Sequence, residues 1–128
     1  MVEQWEEFPI GPSDPERDLH VTLNSKGMIM IGARAFEEMG KPDAAVLFFD
    51  KLNSKIGLLP SHSRVENAYP LQTKGKHRHR IVRANRFCRH HGIKTDRTIE
   101  FTDAKINDDR ILVLDLKTTT PIGKPKQG

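Results

Sequence analysis

Val21-Thr22-Leu23-Asn24-Ser25-Lys26-Gly27-Met28-Ile29-Met30-Ile31 places two short apolar segments around a polar tetrapeptide. His20 to Leu23 has the composition of a strand, and Asn24-Ser25-Lys26-Gly27 that of a tight turn. Met28 to Ile31 is apolar at every position, as a buried strand is. A short helix is expected over Ala33 to Met39, because Gly40 offers the left-handed residue that ends a helix and Pro42 cannot extend one. Ala45 to Phe49 and Ile56 to Leu59 then make a hairpin around Asp50-Lys51-Leu52-Asn53-Ser54.

The same order recurs further along. At a spacing of 51 residues, Met30-Ile31 falls on Ile81-Val82, Ala33 on Ala84 and Phe36 on Phe87. One added helix residue brings Gly40 onto Gly92, and a spacing of 53 then aligns Lys41 with Lys94, Asp43 with Asp96, Val46 with Ile99, Phe48 with Phe101 and Asp50 with Asp103. Spacings that grow only by loop insertions imply an internal duplication. Tyr69 to Gln72 opens the second copy, Asn107-Asp108-Asp109 is its last turn, and Ile111 to Leu116 its final strand. Neither copy can bury a core alone, so the two are expected to interleave in a single mostly β (α+β) domain with two short helices and a pseudo-twofold axis. That domain covers residues 19–116, with repeats at 19–60 and 69–116 joined by a connector at Ser61 to Asn67. Met28, Met30, Phe36, Met39, Phe48 and Phe49 are assigned to its core. Residues 1–18, with Pro9, Pro12 and Pro15 around Trp5 and Phe8, form an extended arm. Residues 117–128 read as a flexible tail.

In 128 residues, 36% are hydrophobic and 6% aromatic, which leaves room for a modest core and none for a large walled pocket. No apolar run approaches the ~20 residues of a membrane span, and the acidic start is unlike a signal peptide. The single cysteine, Cys88, excludes an internal disulfide. A cytoplasmic protein without membrane contact is expected.

The turn at Ser25-Lys26-Gly27, the apolar strand after it, the helix ending at Gly40 and the hairpin ending Ile56-Gly57-Leu58-Leu59-Pro60 together resemble the AbrB-type (SpoVT/AbrB-like) swapped-hairpin family. Two copies in one chain resemble the tandem arrangement of MraZ. The resemblance implies interlocked hairpins closed into a small β-barrel, a role as a DNA-binding transcription regulator or antitoxin, and further assembly into homo-oligomers. Met28 stands where the family has arginine, and Glu37 and Glu38 lie on the first helix.

Charge singles out one region. Net charge is +4, yet Lys74 to Arg97 holds nine basic residues against one acid, Asp96, and four of the six histidines. A one-signed concentration of this kind attracts polyanions, nucleic acid first; the plainer alternative is a solvated face. On the expected strand, Arg78 and Arg80 share a face opposite His77 and His79. On the expected helix, Ala84, Phe87, Cys88 and His91 make the buried stripe, leaving Arg86, Arg89 and His90 outside with Arg83 nearby. Arginine suits phosphate because its planar fork bonds bidentately. Lys74, Lys76, Arg78, Arg80, Arg83, Arg86 and Arg89 are therefore the expected contacts to double-stranded DNA, with Lys26 and Arg34 contributing from the first repeat. The nearby arginines disfavour a metal at the histidines, and no cofactor is expected. Cys88, on the apolar stripe, reads as structural, and no catalytic constellation is found, so the chain is expected not to be an enzyme. The alternative function is a protein-interaction or assembly module, antitoxin-like, that keeps the fold without DNA binding.

Overall fold

The computed structural model describes residues 19–73 and 78–122. The arm at 1–18, together with Lys74, Lys76 and His77, lies outside the described residues.

The opening eleven residues fold as two strands, β1 (Val21–Leu23) and β2 (Met28–Ile31), paired antiparallel across the turn. The turn closes on itself because the Asn24 side-chain oxygen accepts from the backbone N–H of Lys26 and of Met28, both at 2.9 Å. Helix α1 (Ala33–Glu38) follows, and Gly40 turns the chain with φ +91°. Then come β3 (Ala44–Asp50) and β4 (Lys55–Ser61). Along the second half run β5 (Ala68–Pro70), β6 (Gln72–Thr73), β7 (Arg80–Arg83), helix α2 (Asn85–His91), β8 (Ile99–Phe101), β9 (Lys105–Ile106), β10 (Leu112–Asp115) and β11 (Thr119–Pro121).

The strands form two antiparallel sheets, ordered β11-β8-β1-β2-β7-β6 and β5-β3-β4-β10-β9. Both sheets mix strands from the two halves of the chain. In the first, β1 and β2 sit between β8 and β7, with Ile29 opposite Val82 and Leu23 opposite Ile99. In the second, β4 joins β10, with Leu58 opposite Leu112 and Ile56 opposite Leu114. One core cluster takes Val21, Leu23, Ile29, Ile31 and Val82 from the first sheet. Ile56, Leu58, Leu112 and Leu114 join it from the second, and Phe36, Met39, Phe87 and Cys88 from the helices and their ends. Among the described residues, no helix is long and apolar enough to cross a membrane.

Several expectations change. Phe48 is 52% exposed, whereas Phe101, the residue that the sequence spacing aligns with it, is buried. Alternation along β3 turns Ala45, Leu47 and Phe49 toward the core, which sends Phe48 outward with Val46. Met28 and Met30 are only half-buried for the same reason, being offset by one from Ile29 and Ile31. The strand expected at Tyr69 to Gln72 divides at Leu71: Ala68–Pro70 pairs with β3, and Gln72–Thr73 with β7. Leu71 itself is buried, and its N–H donates to the Asp43 carbonyl at 3.0 Å. Within the expected tail, Thr119–Pro121 forms β11 against β8.

Candidate functional site

The basic stretch separates into two neighbourhoods. On β7, register sets Arg80 opposite Ile31 and Val82 opposite Ile29, so Arg80 shares the inward face rather than an outer one. Its guanidinium carbon lies 4.2 Å from the centroid of the Phe36 ring, and Nη1 donates to the Arg78 carbonyl at 2.9 Å. Arg78 is exposed and pairs with Glu37 at 2.9 Å. Arg34 pairs with Glu38 at 2.7 Å, one helical turn away. Arg83, on the outer face of β7, donates to the Gln72 side chain at 3.0 Å. Arg78, Arg80, Arg83 and Arg34 thus each have a protein partner beside α1 or on the first sheet.

The second neighbourhood surrounds α2. Ala84, Phe87 and Cys88 are buried as the helical stripe demands, and Arg86, Arg89 and His90 are exposed. His91 departs from the stripe. It is exposed at the helix end, with its ring 4.8 Å from Phe49 and 4.7 Å from Phe87 between centroids. Desolvation there, with His90 beside it, lowers its pKa. Burial pushes the Cys88 thiol up, which suits a packing role rather than a nucleophile.

The 24–27 turn docks on this helix. Gly27 has φ +82°, its carbonyl accepts from the Ala84 N–H at 2.9 Å, and a Cβ there would lie 2.7 Å from Asn85 Cα. Lys26 is thereby brought to α2 from the other half of the chain. A cleft of about 330 Å³ lies between turn and helix, edged by Lys26, Arg89 and Lys94. A second, shallower hollow of about 510 Å³ lies across the helix, between Arg86 and Arg89 and beside Tyr69. Among the described residues, no Asp or Glu lines either. Among the described residues, Lys26, Arg86, Arg89 and Lys94 have no ion-pair partner.

Of the nine expected contacts, the structure gathers Lys26, Arg86 and Arg89. It sets Arg34, Arg78, Arg80 and Arg83 apart from them, each with a protein partner, and Lys74 and Lys76 lie outside the described residues. Lys94, a member of the basic stretch but not among the nine, lines the same cleft as Lys26 and Arg89. Gly92, the glycine that ends the helix in the sequence, takes a left-handed φ of +68°, and Lys94 follows two residues later. Among the described residues, no group of three or more His, Cys, Asp or Glu side chains could hold a metal ion.

Comparison with protein-family models, with curated proteins and with solved structures finds no match for this chain.

Proposed function

We propose that the chain is a non-enzymatic, AbrB/MraZ-like DNA-binding regulator of the cytoplasm, built from two swapped-hairpin repeats. The repeat reading is supported by β2 and β7 lying side by side, each followed by a short helix that leads into a left-handed glycine, Gly40 or Gly92. The observation that carries the function is the gathering of Lys26, Arg86, Arg89 and Lys94 around α2, with no acid among the described residues lining the hollows between them. Cations gathered around one helix, without ion-pair partners among the described residues, suit the sequence-independent phosphate contacts that dominate duplex affinity. Arg78 and Arg34 are secondary contacts, since exposed ion pairs contribute at most about 1 kcal/mol and exchange readily for phosphate.

Fluorescence anisotropy with a random duplex tests this. Four phosphate contacts give a slope near −3.6 in log affinity against log salt, or roughly 100-fold weaker binding on going from about 50 to 200 mM salt. The triple charge reversal Lys26→Glu, Arg86→Glu, Arg89→Glu removes most of that slope. Binding that survives the triple variant with its salt dependence intact overturns this placement.

The second reading, an interaction module without DNA contact, draws on the Arg78–Glu37 and Arg34–Glu38 pairs, which occupy two of the expected arginines. Absence of duplex binding even at low salt selects it.

A further inference from the structure

The cleft between the 24–27 turn and α2 has features that duplex binding alone does not call for. Its rim is cationic, with one charge from each of three segments: Lys26 on the turn, Arg89 on the helix and Lys94 on the loop beyond. Its floor is apolar: the half-buried Ile93 lines it together with the buried Leu23 and Cys88. Ser25 and Asn85 also line the cleft, and neither side chain is hydrogen-bonded within the described residues. The remaining polar side chains are already committed: Asn24 to the turn N–H groups, and Thr95 to the backbone of Arg97.

The walls are set in advance of any ligand. Asn24 fixes the turn from within, Gly27 seats it against Asn85, and the Ile93 N–H donates to the Cys88 carbonyl at 2.8 Å as the chain reverses at Gly92. Little ordering is then required on binding, which favours affinity for a small molecule. At about 330 Å³, the cleft is at the small end of the roughly 300–1,000 Å³ usual for ligand sites. An inorganic anion would satisfy the rim and leave the floor wet. A neutral apolar molecule would fill the floor and leave three cations facing it. A phosphate monoester on a compact planar body meets both demands: its charge of about −1.5 to −2 answers the rim, and its body covers the exposed part of Ile93.

We propose that this cleft binds a nucleoside monophosphate, or the equivalent phosphorylated end of a nucleic-acid strand. We further propose that the ligand and a duplex exclude each other, because both require Lys26 and Arg89. The exclusion rests on the DNA-binding reading; the binding itself does not.

The test is an amide NMR titration of the full chain with adenosine 5′-monophosphate, and separately with adenosine and with inorganic phosphate. Saturable shifts confined to Ser25–Gly27, Asn85, Arg89 and Ile93–Thr95 are expected, at an affinity at least about 10-fold above either fragment. Lys94→Gln weakens the nucleotide by about 5- to 10-fold while leaving the remaining spectrum in place. Equal affinity for nucleotide and inorganic phosphate, or shifts spread over every exposed cation, overturns the proposal. Short oligonucleotides with a 5′-phosphate or a 5′-hydroxyl separate the two sources: preference for the phosphorylated end assigns the cleft to strand termini, and indifference assigns it to the free nucleotide. Displacement of bound duplex by saturating nucleotide supports the exclusion, and an unaffected duplex overturns it. A chain that binds the nucleotide but no duplex keeps the cleft and loses the DNA reading; the reverse result does the opposite.

Discussion

Three glycines carry different physical loads, and alanine at each separates them. Gly27 needs both its positive φ and its missing side chain, since a Cβ would meet Asn85 backbone at 2.7 Å. Gly92 needs only its φ, with nothing within 4 Å of an added Cβ. Gly57 needs neither: it lies in a strand, and its Cβ would meet the Ile111 methyl at an ordinary 3.5 Å. Gly92→Ala should cost about 1–2 kcal/mol, the left-handed penalty alone. Gly27→Ala should cost clearly more, because α2 must also shift, and Gly57→Ala should stabilise by about 0.5–1 kcal/mol. Urea unfolding of the three variants checks this order; equal losses at Gly27 and Gly92 would show that the turn is not seated on α2. Gly92 and Gly40 were legible in the sequence because helix termination follows a local rule. Gly27 was legible as a turn residue only, since its second load comes from a helix 58 positions away in sequence.

Hairpins and helices followed the alternation and capping patterns closely, and the exceptions mark where pairing partners intervened. Strand β2 has the bounds expected of it, and β3 and β4 each extend by a residue or two beyond their apolar runs, because their antiparallel pairing with each other continues to Ala44 opposite Ser61 at one end and Asp50 opposite Lys55 at the other. Strand β11 was illegible: Thr119-Thr120-Pro121 is polar and short, and only the free edge of β8 makes it a strand. Leu71 shows the same effect in reverse, because Pro70 has no N–H for a continuous ladder and the next residue is buried instead. At the β3–β4 turn, the Asp50 carboxylate accepts from the Asn53 side-chain amide at 2.8 Å and its backbone N–H at 3.1 Å. These bonds hold Asp50 below its ordinary value of 3.8. A carboxylate depressed in the folded state stabilises above its unfolded pKa, and that contribution fades as pH falls through the folded one. Asn53→Ala removes the larger bond, so its destabilisation relative to the parent should be greater near pH 6 than near pH 3. Urea midpoints at the two values measure this, and a pH-independent difference would assign the effect to the turn backbone instead.

The two halves share both sheets, and this determines how the whole molecule should unfold and where a site can exist. Leu58 and Leu112 come from opposite halves, face each other across β4 and β10, and are both fully buried. Val82 and Ile29 do the same across β7 and β2 in the other sheet. The composite cleft follows the same plan, with Lys26 from one half and Arg89 and Lys94 from the other. Charge clustering made Arg89 visible in the sequence as a candidate, and Lys94 only as one base of the stretch. The share of the first half was not visible as a neighbour, because it depends on the docking of a turn onto a distant helix. If each half were a separate unit, damage in one sheet would stay there. Interleaving predicts otherwise. Leu58→Ala, a fully buried truncation costing about 2–5 kcal/mol, should lower hydrogen-exchange protection at Ile29 and Val82 by the same free energy as at Ile56 and Leu114. Protection lost only on the β4 side, with Val82 unchanged, would mean that the halves unfold separately and that a cation cleft spanning them can open without global unfolding.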